Sequence, residues 1–485
     1  MHRSSPAYRC TLARSGAAAP ILPGYAWPWL ARVDGMTTTP EDLSPSSTAE
    51  EEAVRICKEL IRIDTSNYGD GSGPGERAAA EYVVELLREV GLEPEVTAPA
   101  DHPERTSVVV RTPGRDSSRP GLVLHGHLDV VPAEAKDWTV DPFSAEEKDG
   151  MIWGRGAVDM KDMDAMLLAT LRQLVRSGEK PPRDIVWAFF ADEEAGGTQG
   201  AGHVVAEHPE WFEGCTEAIS EVGGFSITLP DHATGAPTRA YLLQTAEKGI
   251  AWLRLHASGR AGHGSVPNSE NAIVRLAEAI ARIDAHPWPR TYIASVRELF
   301  DGVERVTGES WSEEKVEDVL ARLGGARRFV EGTLQDTSNF SMLDSGYKMN
   351  VIPQSASASL DCRFLPGHED ELLDTIRELA GEHVEVEIEH KDVALEAPSS
   401  GELVDSMKRA LLKEDPGAHV LPYCLSGGTD NKHLSRLGIT GYGFAPLRLP
   451  EDLDFVGMFH GVDERVPVDA IRFGTRVLGQ LIADC

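Results

Sequence analysis

No apolar run in the chain reaches the roughly 18 residues a membrane-spanning helix needs, so the sequence holds no candidate for such a span. Positive charge is also scarce. Lys and Arg number 47 against 78 Asp and Glu, a net charge of -31 over 485 residues. A surface this acidic repels phosphate backbones and anionic headgroups, so neither nucleic acid nor a membrane is expected as a partner. Most of the excess acid serves solubility, which leaves a few carboxylates for metal. Cysteine is sparse: Cys10, Cys57, Cys215, Cys362, Cys424 and Cys485 are scattered, with no Cys-x-x-Cys pair. That spacing excludes a thiolate metal cluster and a disulfide framework, and it fits a reducing, cytoplasmic setting. There is no internal repeat.

The first 35 residues carry Arg3, Arg9, Arg14 and Arg32 with one acid, Asp34, and their apolar part is broken by Pro20, Pro23 and Pro28. An interrupted apolar region makes a poor secretory signal. The expectation is that Met36 is the true start and that residues 1–46 are a disordered or over-called extension.

Ser47-Thr48-Ala49-Glu50 reads as a capping box, with Val54, Cys57, Leu60 and Ile61 following at helical spacing. A Gly/Pro/Ser loop over 69–75 precedes a helix over 76–90 that Gly91 stops. Segments 107–111, 121–127, 185–190 and 217–220 read as strands, and 161–176 and 201–207 as helices. Strands alternating with helices predict an α/β layered fold with a mostly parallel sheet, its first part over 47–246. Beyond Gly223 the pattern changes. Strands at 249–257, 355–363 and 384–388 alternate with helices around Ile273, Leu276, Ala277, Ile280 and Ile283 and over 369–379. This β-α-β-β-α-β-like order predicts a smaller α+β, ferredoxin-like domain inserted at 247–391, with 392–485 returning to the first domain. Residues 290–339, polar with helical patches, read as an insertion within the small domain.

The chemistry gathers at predicted strand ends. In Leu124-His125-Gly126-His127-Leu128-Asp129, alternate residues of an extended chain share a face, so His125, His127 and Asp129 are candidates together. An imidazole backed by a carboxylate suits zinc; a strand ending in a polar loop explains the same stretch equally well. Asp159, in Gly154-Arg155-Gly156-Ala157-Val158-Asp159-Met160-Lys161, is a second candidate, with a helix N-cap as the simpler reading. Asp192-Glu193-Glu194 directly follows an apolar strand. Such crowding is costly unless a cation neutralises it. Glu221 ends another strand. Open α/β sheets bind ligands at the carboxyl ends of their strands, and four acid or histidine stretches at such ends point to metal. His263 and His460 lie in glycine-bounded loops.

These stretches, with Asn350-Val351-Ile352-Pro353 and Ser426-Gly427-Gly428-Thr429-Asp430, occur in one order from about residue 48 onward. In that order they resemble the zinc metallopeptidase family of aminoacylase, carboxypeptidase G, acetylornithine deacetylase and succinyl-diaminopimelate desuccinylase. The resemblance implies a di-zinc catalytic domain whose inserted domain serves as lid and dimerisation unit. It implies that Asp159 bridges two zinc ions, that His127 and Glu221 complete one site, and that Glu194 and His460 complete the other. Asp129 would orient His127, Glu193 would be the general base, and the Asp159–Met160 peptide would be cis. His263 would stabilise the oxyanion from the partner subunit of a homodimer, while Asn350, Arg363, Gly427, Gly428 and Thr429 would bind substrate. Cobalt or manganese can occupy such nitrogen and oxygen sites in place of zinc.

The position of Glu221 is Asp in aminopeptidase-like members and Glu in acylase- and carboxypeptidase-like ones, so Glu221 leans toward substrates with a free carboxylate. The long 290–339 segment is similar to the longer-lidded aminoacylase and carboxypeptidase S members. The implied activity is hydrolysis of the amide bond of N-acyl amino acids or short peptides bearing a free carboxylate, by a metal-bridging hydroxide with Glu193 as base. A dipeptidase or aminopeptidase of the same family is the alternative. An inactive metal-binding homologue is disfavoured because every expected ligand and the base are present. The His-x-His-x-Asp-His pattern of metallo-β-lactamases fails at Val130, which leaves His125 a neighbour rather than a ligand.

Overall fold

The computed structural model describes residues 47–485; the expectations for 1–46, Met36 included, lie outside the described residues. Gly121–His127 and Ile185–Phe190 are buried along their whole length. Continuous apolar runs of this kind form strands covered on both faces. Their side chains alternate between two cores. Leu122, Leu124, Ile185, Trp187 and Phe189 face one, which the helices Ala49–Arg62, Lys161–Ser177 and Val468–Asp484 cover. Val123, Val186, Ala188 and Phe190 face the other, beneath Ala201–Glu207. Each fully buried side chain of this size contributes about 1.5–3 kcal/mol.

These strands sit in a ten-stranded mixed sheet. Ile185–Phe190, Gly121–His127, Cys215–Ser220 and Thr440–Gly443 run parallel at its centre. Ser107–Thr112, Phe225–Pro230 and Leu395–Glu396 pair antiparallel toward its margins. The first helix starts one residue later than its sequence pattern indicated. Thr48 is the N-cap and accepts from Glu51 N at 3.3 Å. The acidic run Glu50-Glu51-Glu52 satisfies a capping box in either register, and Glu52 is drawn into the core by Arg172 Nε at 2.7 Å.

The small domain is a four-stranded antiparallel sheet in the order Thr337–Ser345, Ser355–Phe364, Gly249–Ser258, Val384–Asp392. Ala272–Asp284 and Glu369–Ala380 pack on it. The chain order is β-α-β-β-α-β, as the sequence pattern predicts. Residues 290–339 depart from the expectation. The helices Ala294–Thr307, Val316–Arg322 and Arg327–Glu331 bury Val296, Leu299, Phe300, Val303, Val319, Leu320 and Val330 in the core of the large sheet. The longest of them packs on the strands His419–Leu425 and Phe225–Pro230. Gly302 approaches Leu421 so closely that a Cβ there would lie 2.4 Å from Leu421 Cδ2. The helices over 294–331 therefore belong to the large sheet, while 337–339 open a strand of the small domain. The segment's overall polarity hid an apolar stripe at i, i+3, i+4, i+7 spacing, which needs a broad covered surface. Among the described residues no helix is long and apolar enough to cross a membrane.

Phe300 is fully buried in that stripe. Phe300→Ala is expected to lower stability by about 3–5 kcal/mol in denaturant unfolding.

Candidate metal centre

Three adjacent parallel strands end at one edge of the large sheet. Gly121–His127 ends on His127, Ile185–Phe190 leads into Asp192-Glu193-Glu194, and Cys215–Ser220 leads into Glu221. Asp192, Val222 and His460 hold left-handed backbone, with φ of 68°, 53° and 57°. Such strained backbone gathers where a site dictates conformation. The Asp159–Met160 peptide is cis. Asp159 does not cap the following helix, whose N-cap residue is Met160.

The two oxygens of Asp159 face two different imidazoles. Oδ1 lies 3.2 Å from His127 Nε2, and Oδ2 lies 3.3 Å from His460 Nε2. Glu221 Oε2 is 3.5 Å from His127 Nε2, and Glu194 Oε2 is 3.1 Å from His460 Nε2. One donor atom each from His127, Glu193 and Glu221 lies within 4.8 Å of the others, and so do those of His127, Asp159 and Glu194.

This crowding perturbs every member. Burial, then the charge of Asp159, pushes the Glu194 carboxyl up to about 7. Burial raises Glu221 well above the carboxylate range, and it raises Glu193 too, with the Lys432 ammonium pulling the other way. Burial opposes charge on His127, but Glu221, Asp129 and Asp159 outweigh it and hold the imidazole well above its usual value. Hydrogen bonds to Asp159 and Glu194 push His460 up to about 11. Burial would raise Asp159 as well, yet the two histidines hold it below its usual range.

Neighbouring groups hold this arrangement. His127 Nδ1 lies 3.0 Å from the Asp129 backbone oxygen and 3.5 Å from its carboxylate. The Asp129 carboxylate accepts from Glu193 N at 3.1 Å, Glu194 N at 3.0 Å and Asn67 Nδ2 at 2.9 Å. Asp129 thus touches the histidine mainly through its carbonyl and spends its carboxylate on the acidic loop. Arg105 Nη2 donates to Asn67 Oδ1 at 2.9 Å, which fixes that amide in turn. His125 points elsewhere. Its Nε2 lies 3.0 Å from Asn431 Oδ1, its ring packs on Phe190, and burial pushes it down to about 4.

The donor set fits a pair of divalent cations. Two imidazoles and several carboxylates suit zinc, cobalt or manganese, and Glu194 Oε1 is buried without a hydrogen-bond partner. His127 stands beside both Asp159 and Glu221, and His460 beside both Asp159 and Glu194.

The remaining candidates are not gathered into this cluster. His263 is exposed in a two-stranded ribbon with Val351–Ile352, its Nδ1 2.8 Å from Ser265 Oγ. Among the described residues no hydrogen bond or ion pair joins it to the acids. Asn350 is exposed, and its carbonyl accepts from Gly264 N at 3.0 Å. Arg363 grips Asp361 with Nε at 2.7 Å and Nη2 at 3.0 Å. Thr429 gives its hydroxyl to Glu247 at 2.9 Å, while the Gly427 Cα faces open space and Gly428 lies near Lys248 O. Sequence reasoning missed Asn67, Lys432 and Glu464. Lys432 is buried with its ammonium 3.6 Å from Asp392. A cation two residues beyond the Gly427-Gly428-Thr429-Asp430 motif was the signal available for it.

The described family Peptidase family M20/M25/M40 matches residues 123–484. Over 378 residues the chain is 30% identical to probable carboxypeptidase S-like 2 of Dictyostelium discoideum, covering 75% of this chain and 71% of that one. It is 27% identical to human aminoacylase-1 over 440 residues, 89% and 95% of the two chains. It is 27% identical to the N-fatty-acyl-amino acid synthase/hydrolase PM20D1 of Xenopus tropicalis over 452 residues, 89% and 85% of the two. The fold is shared with the M20 family metallo-carboxypeptidase Sso-CP2 of Sulfolobus solfataricus, at a TM-score of 0.66 and 16% identity, covering 89% of this chain and 99% of that one.

Its two acid neighbours push His460 up to about 11, and burial pushes Glu194 up to about 7, so a metal displaces a proton from the imidazole throughout the neutral range and from Glu194 only below about pH 7. Raising the pH from 6 to 8 is expected to tighten cobalt(II) or zinc binding and to leave fewer protons to be released, measured by calorimetry in buffers of different ionisation enthalpy.

Proposed function

The chain belongs to the M20/M25/M40 peptidase family, and on that premise we propose that it hydrolyses the amide bond of N-acyl amino acids or short peptides bearing a free carboxylate, with zinc as its metal. It is a metallo-hydrolase of a family acting on such compounds. The observation that carries the reading is Asp159, set between His127 and His460 with Glu221 and Glu194 at the flanks.

His127, Asp159 and Glu221 would hold one cation, and Asp159, Glu194 and His460 the other. When bound, the pair supplies Lewis acidity and makes water acidic enough to lose a proton near pH 7. Glu193 takes the proton of the attacking water and returns it to the leaving nitrogen. Its backbone is pinned by Asp129, and burial raises its affinity for a proton, which suits a group that accepts and then donates. Arg363 releases Asp361 to clamp the substrate carboxylate in two-pronged fashion, with Asn350 and the Gly427-Gly428-Thr429 backbone completing the grip. Glu221 supports the preference for carboxylate-bearing substrates.

His263 acts on the oxyanion from a second copy. In support, Thr337–Ser345 is an edge strand, and Met342, Leu343, Tyr347 and Met349 on it and just beyond are exposed apolar residues. Unpaired edges and contiguous apolar residues are where chains associate, so the active form is a homodimer through the small domain. The described cysteines are all free and buried, in keeping with a cytoplasmic setting.

Glu193→Gln is expected to lower kcat by about 10²–10⁴-fold with metal content unchanged, compared by steady-state kinetics and elemental analysis. Amidating the substrate carboxylate is expected to remove most of kcat/KM, and Arg363→Ala to raise KM for the free acid while leaving the poor turnover of the amide unchanged. An N-acetyl amino acid and dipeptide panel reads both.

A further inference from the structure

Asp159 sits in a turn between the short strand Met151–Trp153 and the helix Lys161–Ser177. Within 156–159, Ala157 N bonds inside the turn, to Gly154 O at 3.1 Å; the other N–H groups are buried donors that need partners from elsewhere. One carboxylate supplies them. Glu464 is fully buried. Its Oε1 accepts from Val158 N at 2.7 Å and Asp159 N at 3.1 Å; its Oε2 accepts from Gly156 N at 3.1 Å and Arg155 Nη1 at 2.8 Å. Its backbone oxygen accepts from Gly154 N at 2.9 Å. Arg155 offsets the buried charge and lies over the Trp138 ring at 5.1 Å.

Glu464 is also tied to the second half of the site. It stands four residues after His460, and Arg465–Pro467 pairs antiparallel with Met151–Trp153. Between them, Asp463 accepts from Thr139 N and Oγ1, both at 2.7 Å. The segment 460–464 therefore carries one candidate ligand and grips the backbone of another.

We propose that Glu464 is a positioning residue: by holding three N–H groups of the 156–159 turn it sets the Asp159 carboxylate between His127 and His460, and so fixes the spacing of the two cation positions. The proposal rests on the two-cation reading. Glutamine at 464 turns an amide NH₂ toward backbone donors and leaves some of them unpaired. Aspartate keeps the charge opposite Arg155 but is one carbon too short to reach Val158 N and Asp159 N as well.

The test uses the full chain, stripped with chelator and titrated with cobalt(II), followed by calorimetry and by the visible d–d absorption. Wild type is expected to bind two ions per chain. Glu464→Gln and Glu464→Asp, where folded, are expected to bind cobalt(II) about 10–100-fold more weakly with a changed absorption band. Hydrogen exchange on the unmutated protein, which needs no variant to fold, is expected to show slow amides at Gly156, Val158 and Asp159. A merely structural role would lower the melting temperature and leave affinity and spectrum unchanged; that result, or fast exchange at those amides, overturns the proposal. Fewer than two ions in the wild type overturns the two-cation reading and the proposal with it, whereas two ions with unaltered variants overturns the role of Glu464 alone.

Discussion

Carboxylate crowding at the ends of three parallel strands is the constraint on which the rest of the structure depends. Asp129, Asp159, Glu193, Glu194 and Glu221 lie about two imidazoles, withdrawn from most of the solvent that would screen them. Burial first, and like charges at such spacing after it, raise their proton affinity, as the upward shifts of Glu194 and Glu221 register. Removing one acid relieves this repulsion and also removes a metal donor. The arrangement is therefore coherent as a receptor for positive charge, and costly as anything else.

Holding acids together takes a rigid frame. The parallel strands bring His127, Glu193, Glu194 and Glu221 to one edge because they are buried on both faces, where a one-residue slip would send every side chain into the opposite core. The 290–339 segment adds to that frame. Phe329 from its last helix meets Phe225 and Phe459 edge to face, and Phe459 precedes His460. A segment with the look of a surface insertion thus packs against the loop that presents one of the two histidines.

Much of this was legible in the residues, for physical reasons. The central strands show as unbroken apolar runs, and 121–127, 185–190 and 201–207 match the observed elements residue for residue. The ferredoxin-like order shows because its strands alternate over one covered face. The metal candidates show because each stands at a strand end or a glycine-bounded turn. Asn67 and Glu464 did not show, because they act across 62 and 305 residues of chain, on Asp129 and on Asp159 N. A single sequence has no local signature for such contacts. The 290–339 segment misled because its polar exterior outweighed its apolar stripe. His263 and Arg363 lie on the small domain, and no spacing rule reveals where the side chains of a small domain stand relative to those of a large one.

The central claim is that Asp159 stands between two cation positions, one at each histidine. Anomalous diffraction at the zinc edge from zinc-loaded crystals tests it most directly. The account predicts two peaks, one bounded by His127, Asp159 and Glu221 and the other by Asp159, Glu194 and His460. A single peak, or peaks that leave Asp159 outside both coordination shells, would contradict it.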